Sequence, residues 1–171
     1  MIILIGESAS GKSTIEKELV TNGYKKIISY TTRPIRKNEI DGVDYHYISV
    51  EEFKNKLSEG FFAENTIYND WYYGIAKQDC IDNAVVVVEP HGFRQLIKLE
   101  DLHIISFYIK VDERERLIRM VKRGDNLLEV FRRIFSDQGV FQFIDREVDH
   151  VVDNYDFNEC VRKITNIIGG K

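Results

Sequence analysis

The chain has 171 residues, which is enough for one domain with a full hydrophobic core. Hydrophobic residues make up 43% of the sequence and charged residues 30%, a balance that excludes an intrinsically disordered chain. A net charge of -4 argues against a general nucleic-acid binder, and no apolar run is long enough to span a membrane. Cys80 and Cys160 show no metal-ligand spacing, so both are expected to be reduced core residues. We therefore expect a cytoplasmic monomer or homodimer, with neither nucleic acid nor membrane among its partners.

Short apolar runs rich in β-branched residues predict five buried strands. These strands cover residues 2–5, 26–30, 84–88, 104–109 and 150–152. Helical spacing follows the first strand, where Ile15 and Leu19 lie four residues apart. Capping pairs begin three further helices: Ser49 with Glu52, Asp112 with Glu115, and Asp156 with Glu159. Because strands alternate with helices, the sequence predicts an α/β fold built on a parallel sheet.

Two segments interrupt this alternation. Residues 31–73 are polar and aromatic, with one short helix at 50–59, and residues 114–133 are dense in arginine. We expect the first segment to fold as a small mixed or antiparallel sheet, and both segments to be mobile covers over the core. The predicted organisation is one domain, 1–171, with a core of residues 1–29 and 76–171, an insertion of residues 30–75 and a lid at about residues 114–133.

A phosphate-binding sequence follows the first strand directly. Residues 6–13 read Gly-Glu-Ser-Ala-Ser-Gly-Lys-Ser and fit the pattern G-x-x-x-x-G-K-[ST], between an apolar strand and an amphipathic helix. The glycines allow backbone N–H groups to turn inward around phosphate oxygens at the positive end of a helix. Lys12 would place its charge on the β- and γ-phosphates of ATP, and the Ser13 hydroxyl suits magnesium. The predicted ATP contacts of this loop are Gly6, Glu7, Ser8, Ala9, Ser10, Gly11, Lys12, Ser13 and Thr14, with Ser13 as the metal ligand.

A second phosphate site is indicated within the insertion. Arg33 and Arg36 lie three residues apart beside hydroxyl-bearing residues, and the planar fork of arginine binds phosphate through two bonds at once. On their own, these arginines fit a solvated surface strand better than a ligand site.

The order of motifs across residues 2–95 resembles that of the guanylate kinase family. It runs Ser-Tyr-Thr-Thr-Arg-Pro at 29–34, Asp-Gly-Val-Asp-Tyr-His-Tyr at 41–47, Gly-Phe-Phe-Ala-Glu at 60–64 and Tyr-Tyr-Gly at 72–74. The resemblance implies a P-loop NTPase fold: a five-stranded parallel sheet wrapped by helices, an acceptor-binding mixed-sheet insertion and an arginine-rich lid. It implies ATP and GMP as the substrates, with Mg2+ bound beside ATP.

The resemblance also implies roles for individual residues. The acceptor phosphate would be held by Arg33, Arg36, Tyr45 and Tyr73, and the guanine base would be contacted by Ser29 and Glu64. A carboxylate suits guanine because it accepts hydrogen bonds from both N1–H and the exocyclic amine. Asn154 matches the family's segment near the adenine of ATP, although an asparagine there also fits a simple loop before a helix cap.

Three features depart from the family pattern. Ile75 stands where a serine or threonine normally helps to read the base. Val87 replaces the first of two acidic residues, so that Glu89 alone is left to assist acceptor binding, and His91 replaces a glutamine. The lid is abbreviated, and its candidate cations are Arg119, Arg123, Arg132 and Arg133, of which Arg123 and Arg133 join Lys12 as predicted catalytic residues. This set of arginines fits a helix face with ion pairs equally well.

Three functions are consistent with the sequence. The first is ATP-dependent phosphoryl transfer to GMP or dGMP, catalysed by positioning and charge neutralisation. The second is a ribose 1,5-bisphosphate phosphokinase on the same fold, which Ile75 and Val87 favour. The third is a non-catalytic guanylate-kinase-like binding module, which the complete phosphate-binding loop disfavours.

Overall fold

The structure is a computed structural model, and it describes residues 1–36, 39–68 and 70–170. In chain order its helices and strands are β1 (Ile2–Ile5), α1 (Lys12–Thr21), β2 (Lys25–Lys26), β3 (Tyr30–Thr31), β4 (His46–Tyr47), α2 (Val50–Ser58), β5 (Phe62–Tyr68), β6 (Trp71–Ala76), β7 (Ala84–Val87), α3 (Pro90–Leu96), β8 (Ile105–Lys110), α4 (Glu113–Lys122), α5 (Leu127–Asp137), β9 (His150–Asp153) and α6 (Phe157–Gly169). Among the described residues, no helix is long and apolar enough to cross a membrane.

The main sheet contains five parallel strands in the order β2-β7-β1-β8-β9. The four residues of β1 are all buried, because the strand is central and helices cover both faces of the sheet. One face packs with α3 through Phe93 and Leu96, and the other packs with α1 and α6 through Leu19 and Ile164. The predicted α/β fold with a five-stranded parallel sheet is confirmed.

The prediction of one strand over residues 26–30 is wrong. The main-sheet strand β2 covers only Lys25 and Lys26, and Tyr30 pairs with Gly74 and His46 in a second sheet. The chain changes sheets within one apolar run: the Ile27 N–H still bonds to the Val85 carbonyl, and the next residues leave the main sheet. Hydrophobic pattern alone does not reveal which sheet a residue joins.

The insertion folds as a four-stranded mixed sheet in the order β4-β3-β6-β5, as predicted. Its helix α2 begins at the predicted cap, where Ser49 Oγ accepts a hydrogen bond from the Glu52 N–H at 3.0 Å. The α2 residue Phe53 is fully buried and stacks on Phe62 of β5, with ring centroids 4.4 Å apart. This aromatic contact joins the helix to its sheet.

The arginine-rich segment forms two helices, α4 and α5. Asp112 caps α4 by accepting from the Glu115 N–H at 2.8 Å, and Asp156 caps α6 through the Glu159 N–H at the same distance, both as predicted. Asn126 caps α5, which no sequence signal predicted. The buried Met120 of α4 and the α5 residues Val130 and Ile134 form a small core that joins the two helices.

Both cysteines are buried, as expected for core residues. Cys80 belongs to the cluster on the α3 face of the main sheet and Cys160 to the cluster on the α6 face, and neither forms a disulfide. Burial raises the pKa of each thiol to about 11, which leaves both in the unreactive thiol form at neutral pH.

Candidate active site

The phosphate-binding loop connects β1 to α1 at the carboxyl edge of the main sheet. Gly11 precedes α1 with a φ angle of 100°, a left-handed conformation that glycine adopts readily. A Cβ atom at this position would lie 2.2 Å from Asn154 Nδ2, so the close packing also requires glycine. No described side chain caps the N-terminus of α1, which leaves its first N–H groups open to an anion.

Lys12 lies folded over this loop. Its Nζ donates to the carbonyls of Gly6 and Glu7, the latter at 2.8 Å, and approaches Ser10 Oγ at 3.4 Å. Burial lowers the pKa of Lys12 to about 8, and nearby carboxylates, chiefly Asp137, oppose this effect. An ammonium group held by neutral carbonyls can exchange them for phosphate oxygens, which form stronger charge-assisted bonds.

A cavity of about 640 Å³ opens beside the loop, and we call it the loop cavity. Six cationic side chains line it: Lys12, Arg36, Arg119, Arg123, Arg132 and Arg133. The carboxylates of Glu89, Glu129 and Asp137 also line it, together with the predicted contacts Ser8, Ala9, Gly11, Ser13, Thr14 and Asn154. Its size and its excess of cations suit a polyanionic ligand such as a nucleoside triphosphate.

Two of the predicted ATP contacts use their side chains to support the loop. The Glu7 carboxylate turns away and accepts a hydrogen bond from the Tyr108 hydroxyl at 2.8 Å. Asn154 is buried, and its Nδ2 donates to the Ser10 carbonyl at 2.7 Å. Arg119 Nη2 donates in turn to the Asn154 carbonyl at 2.5 Å. Asn154 therefore fixes the shape of the loop from the end of β9.

A second cavity, of about 280 Å³, lies between the insertion and the main sheet, and we call it the insertion cavity. Five predicted acceptor residues line it, namely Ser29, Tyr45, Glu64, Tyr73 and Glu89. Ile75, Val87, His91 and Thr66 line it as well. Glu89 lines both cavities, so the two spaces meet beside this residue at the end of β7.

Glu64 is the most unusual group in the insertion cavity. The residue is only 5% exposed, and its carboxylate makes no hydrogen bond or ion pair within the described residues. Burial, together with the charge of Glu89, raises the pKa of Glu64 to about 7. A buried carboxylate without a partner is costly, and a ligand with two adjacent donors would satisfy it.

The two insertion arginines are not in the insertion cavity. Arg33 is buried, and its Nη2 forms an ion pair with Glu39 Oε1 at 2.7 Å. Its guanidinium carbon lies 5.5 Å from the centre of the Tyr45 ring, so Arg33 contacts a residue that lines this cavity without lining it itself. Arg36 lines the loop cavity. The structure therefore brings Tyr45 and Tyr73 together, with ring centroids 6.0 Å apart, and places Arg33 beside the Tyr45 ring and Arg36 at the loop cavity.

The carboxylate of Glu39 balances the positive charge of Arg33. Besides Arg33, it accepts hydrogen bonds from the Tyr47 hydroxyl at 2.8 Å and from the Arg36 N–H at 2.9 Å. The bond from Arg33 lowers the pKa of Glu39 to about 2. A phosphate ligand would have to draw Arg33 away from this carboxylate.

The lid arginines are likewise ion-paired. Arg123 pairs with Asp125, and Arg133 pairs with Glu129 at 2.9 Å and with Asp125 at 3.7 Å. Arg132 also pairs with Glu129, at 2.7 Å. These ion pairs are the ones that the helix-face interpretation expects, and the same arginines line the loop cavity. Their catalytic role stays a prediction.

The sequence does not predict several residues that lie in or beside these cavities. Thr66 lies two residues after Glu64 on β5, and the alternation of a strand would have placed it on the same side. Asp137 and Arg116 form an ion pair beside the loop, at 3.0 Å between Asp137 Oδ2 and Arg116 Nη1. No signal in the sequence linked these two positions, which lie on different helices.

The described residues contain no cluster of three or more histidine, cysteine, aspartate or glutamate side chains able to hold a metal. Ser13 lies in the first turn of α1 and lines the loop cavity. A single hydroxyl on the protein side fits Mg2+, a hard cation that keeps several waters and binds nucleotide phosphates directly.

Comparisons with known proteins agree with this geometry. The family model described as guanylate kinase matches residues 1–170. A guanylate kinase of Rickettsia prowazekii (strain Madrid E) is 33% identical, and the match covers 98% of this chain and 89% of that protein. A guanylate kinase of Mycoplasmoides gallisepticum (strain R(low / passage 15 / clone 2)) is 29% identical, with coverage of 98% and 91%.

The crystal structure of guanylate kinase from Anaplasma phagocytophilum has the same fold. It superposes with a TM-score of 0.71 over 99% of this chain and 84% of that chain, at 22% identity. This likeness confirms the P-loop NTPase fold expected from the loop and the parallel sheet. The chain therefore belongs to the guanylate kinase family and is a phosphotransferase of the nucleoside monophosphate kinase class.

Proposed function

We propose that the protein transfers the γ-phosphoryl group of ATP to GMP, or to dGMP, and releases ADP and GDP. The observation that carries this proposal is Glu64, a buried carboxylate with no described partner, in a cavity that meets the loop cavity at Glu89. One cavity suits a triphosphate and the other suits a base with two adjacent donors. Their meeting point is where the phosphoryl group would pass.

The reaction needs little covalent help from the protein. An oxygen of the GMP phosphate forms a bond to the γ-phosphorus, the bond from that phosphorus to the β–γ bridging oxygen breaks, and ADP departs with the electron pair. Because a phosphate monoester has a second pKa of about 6, the attacking oxygen is ionised at neutral pH. The protein therefore has no proton to remove, and its task is to align two anions and offset their repulsion.

Glu64 would select the acceptor base. When ionised, it accepts bonds from guanine N1–H and the exocyclic amine, whereas adenine offers no such pair. A site built around polar pairing discriminates by a factor of about 10⁴, since the wrong base leaves the buried carboxylate unpaired. Ile75 removes one further polar contact, so the preference for guanine over adenine should be weaker than with a hydroxyl at this position.

Cations already in place would neutralise the transferred group. Lys12 would exchange the loop carbonyls for β- and γ-phosphate oxygens, and Arg123 and Arg133 would exchange Asp125 and Glu129 for the same group. Arg33 and Arg36, with Tyr45 and Tyr73, would hold the GMP phosphate after movement of the insertion. Closing both segments would exclude water, which otherwise competes as the acceptor.

Magnesium would be held by the Ser13 hydroxyl and by the nucleotide phosphates. When bound, Mg2+ neutralises charge on the β- and γ-oxygens. Glu89, which lines both cavities, would assist through a water or through the acceptor, since its strand lacks the second carboxylate at Val87.

The two alternative functions have less support. A sugar-phosphate acceptor needs no base reader, so it leaves the buried Glu64 without a purpose. A binding module needs no ATP site, and here the phosphate-binding loop is complete and opens onto a cavity of about 640 Å³.

A screen of acceptors tests the proposal. ATP consumption is measured with GMP, dGMP, AMP, UMP, CMP and ribose 1,5-bisphosphate, with Lys12→Ala as the matched inactive variant. We expect GMP to be the fastest acceptor, followed by dGMP, and Lys12→Ala to lose most turnover while keeping its circular dichroism spectrum. Faster consumption with ribose 1,5-bisphosphate than with GMP, or none with any acceptor, contradicts the proposal.

A further inference from the structure

The phosphate-binding loop already holds an anion of the protein itself, the carboxylate of Asp137. Asp137 Oδ2 accepts a hydrogen bond from the backbone N–H of Ser8 at 2.9 Å, and Oδ1 lies 3.3 Å from the Ser8 hydroxyl. Ser8 is the third residue of the loop motif, and Asp137 is the last residue of α5. The end of a lid helix is therefore bonded to a backbone donor of the phosphate-binding loop.

Arg116 of α4 fixes this carboxylate in place. Its Nη1 lies 3.0 Å from Asp137 Oδ2 and 3.3 Å from the Ser8 carbonyl, so it joins both partners. The side chains of Arg116 and Asp137 are only 6% and 12% exposed. A partly buried carboxylate with three donors is well satisfied, and a change of its position would cost these bonds.

The location of Asp137 creates a conflict with a bound triphosphate. Asp137 and Ser8 both line the loop cavity, the space with the excess of cations. Lys12 and Glu89 line the same cavity as Asp137. A negative charge at this point repels the terminal phosphates of ATP and occupies one of the loop donors they would use.

We propose that Asp137 is an internal anion that holds the Ser8 amide and competes with the terminal phosphates of ATP for it. This inference rests on one part of the proposed function, namely that ATP binds in the loop cavity. Binding of the triphosphate displaces the carboxylate from Ser8. The displacement frees the end of α5, the helix that carries Arg133, to move toward the nucleotide.

Nucleotide affinities measured without any acceptor test this competition. Dissociation constants for ATP, ADP and AMP are determined by calorimetry for the parent protein and for Asp137→Asn, with and without Mg2+. The control is Asp145→Asn, which removes an exposed carboxylate outside the loop cavity. Thermal melting of each variant establishes that it is folded.

We expect Asp137→Asn to bind Mg2+-free ATP roughly tenfold more tightly. This is the gain expected when one negative charge is removed whose repulsion of the phosphates is partly screened by solvent. The gain should shrink for ADP and for the magnesium complex, and vanish for AMP, which has no β- or γ-phosphate. Asp145→Asn should match the parent protein. Unchanged or weaker ATP binding by Asp137→Asn would overturn the proposal and make Asp137 a structural brace for the loop.

A second measurement uses the unmodified protein, in case Asp137→Asn does not fold. Hydrogen exchange of the amides at the end of α5 should become faster when ATP is added, because the anchor to Ser8 is lost. Slower or unchanged exchange there contradicts the displacement. These experiments contain no GMP, so they test this inference even if the protein binds ATP but does not phosphorylate GMP. Failure to bind ATP would contradict both this inference and the role of the loop as the donor site.

Discussion

The ionised carboxylate of Glu64 destabilises the folded protein, because it is buried beside the insertion cavity. Its pKa is about 7 in the folded protein against an ordinary value of 4.5, because burial and Glu89 disfavour the charge. The folded state therefore binds the extra proton, and the contribution of Glu64 to stability is fully present below pH 4.5 and is lost as the pH rises through 7. A ligand that pairs with the carboxylate would recover this loss.

The first prediction follows from that cost. Glu64→Gln should stabilise the ligand-free protein at pH 8 by about 1–3 kcal/mol, since no charge remains to be buried. Near pH 4 the two proteins should have similar unfolding free energies. Urea titrations at the two pH values measure this, with the exposed Glu59→Gln as control. A Glu64→Gln variant that is less stable at pH 8 would mean that an internal partner holds the carboxylate.

The second prediction concerns the same ionisation during binding. GMP should bind more tightly as the pH rises from 6 to 8, because only the ionised Glu64 accepts both bonds from guanine. Calorimetry in buffers of different ionisation enthalpy should show proton release near pH 6.5. The Glu64→Gln variant provides the comparison and should release fewer protons. Proton uptake by the parent protein in this range would contradict the account.

The third prediction concerns Ile75, which is 1% exposed and belongs to the core cluster that contains Phe93. Ile75→Thr should widen the ratio of kcat/KM for GMP over AMP about two- to tenfold, the value of one hydrogen bond. It should also lower stability by about 1–3 kcal/mol, because apolar packing is lost in the core. Ile67→Thr, at a 62% exposed position of β5, should change neither quantity. An unchanged ratio would show that position 75 does not reach the base.

Individual residues differ in how far the sequence predicts them. Glu64, Tyr45, Tyr73 and Ser29 follow from the family motif, and the structure places all four around one cavity. The pairing of Arg33 with Glu39 does not follow, because it depends on the fold of a loop with no periodic pattern. The contact of Ser8 with Asp137 spans 129 residues, a separation at which local sequence gives no information.

At the scale of elements, helix starts are the most predictable feature. The caps at Ser49, Asp112 and Asp156 use side chains that bond to N–H groups three residues later, a local interaction visible in the sequence. Strand membership is less predictable, as β2 and β3 show, because pairing partners lie far along the chain. The arginine spacing did not indicate α5 as a separate helix, although asparagine, here Asn126, is a common capping residue.

The fourth prediction belongs to the lid helices. Arg133→Ala should lower kcat roughly tenfold to a hundredfold with little change in the KM for GMP, because a charge-assisted bond to the transferred group is lost. Steady-state kinetics with both substrates measure this. Arg146→Ala removes an exposed arginine outside the loop cavity and should leave kcat unchanged. A rise in the KM for GMP at constant kcat would assign Arg133 to acceptor binding instead.

For the whole molecule, the site follows from the topology of the parallel sheet. The loop after β1, Glu89 after β7 and Asn154 after β9 all lie at the carboxyl edge, where such sheets gather their functional residues. This convergence was predictable once the strands were found. The insertion then adds a second cavity, which meets the first at Glu89.

The central claim is that ATP and GMP occupy these two cavities and exchange one phosphoryl group. The most direct test incubates the protein with magnesium, ATP labelled at the γ-phosphate and either GMP or AMP, and then separates the products. With GMP, we expect the label to appear in the β-phosphate of GDP, in step with the ADP formed, and we expect Lys12→Ala to remove most of it. Label found only in inorganic phosphate, or transferred to AMP as fast as to GMP, would contradict the account.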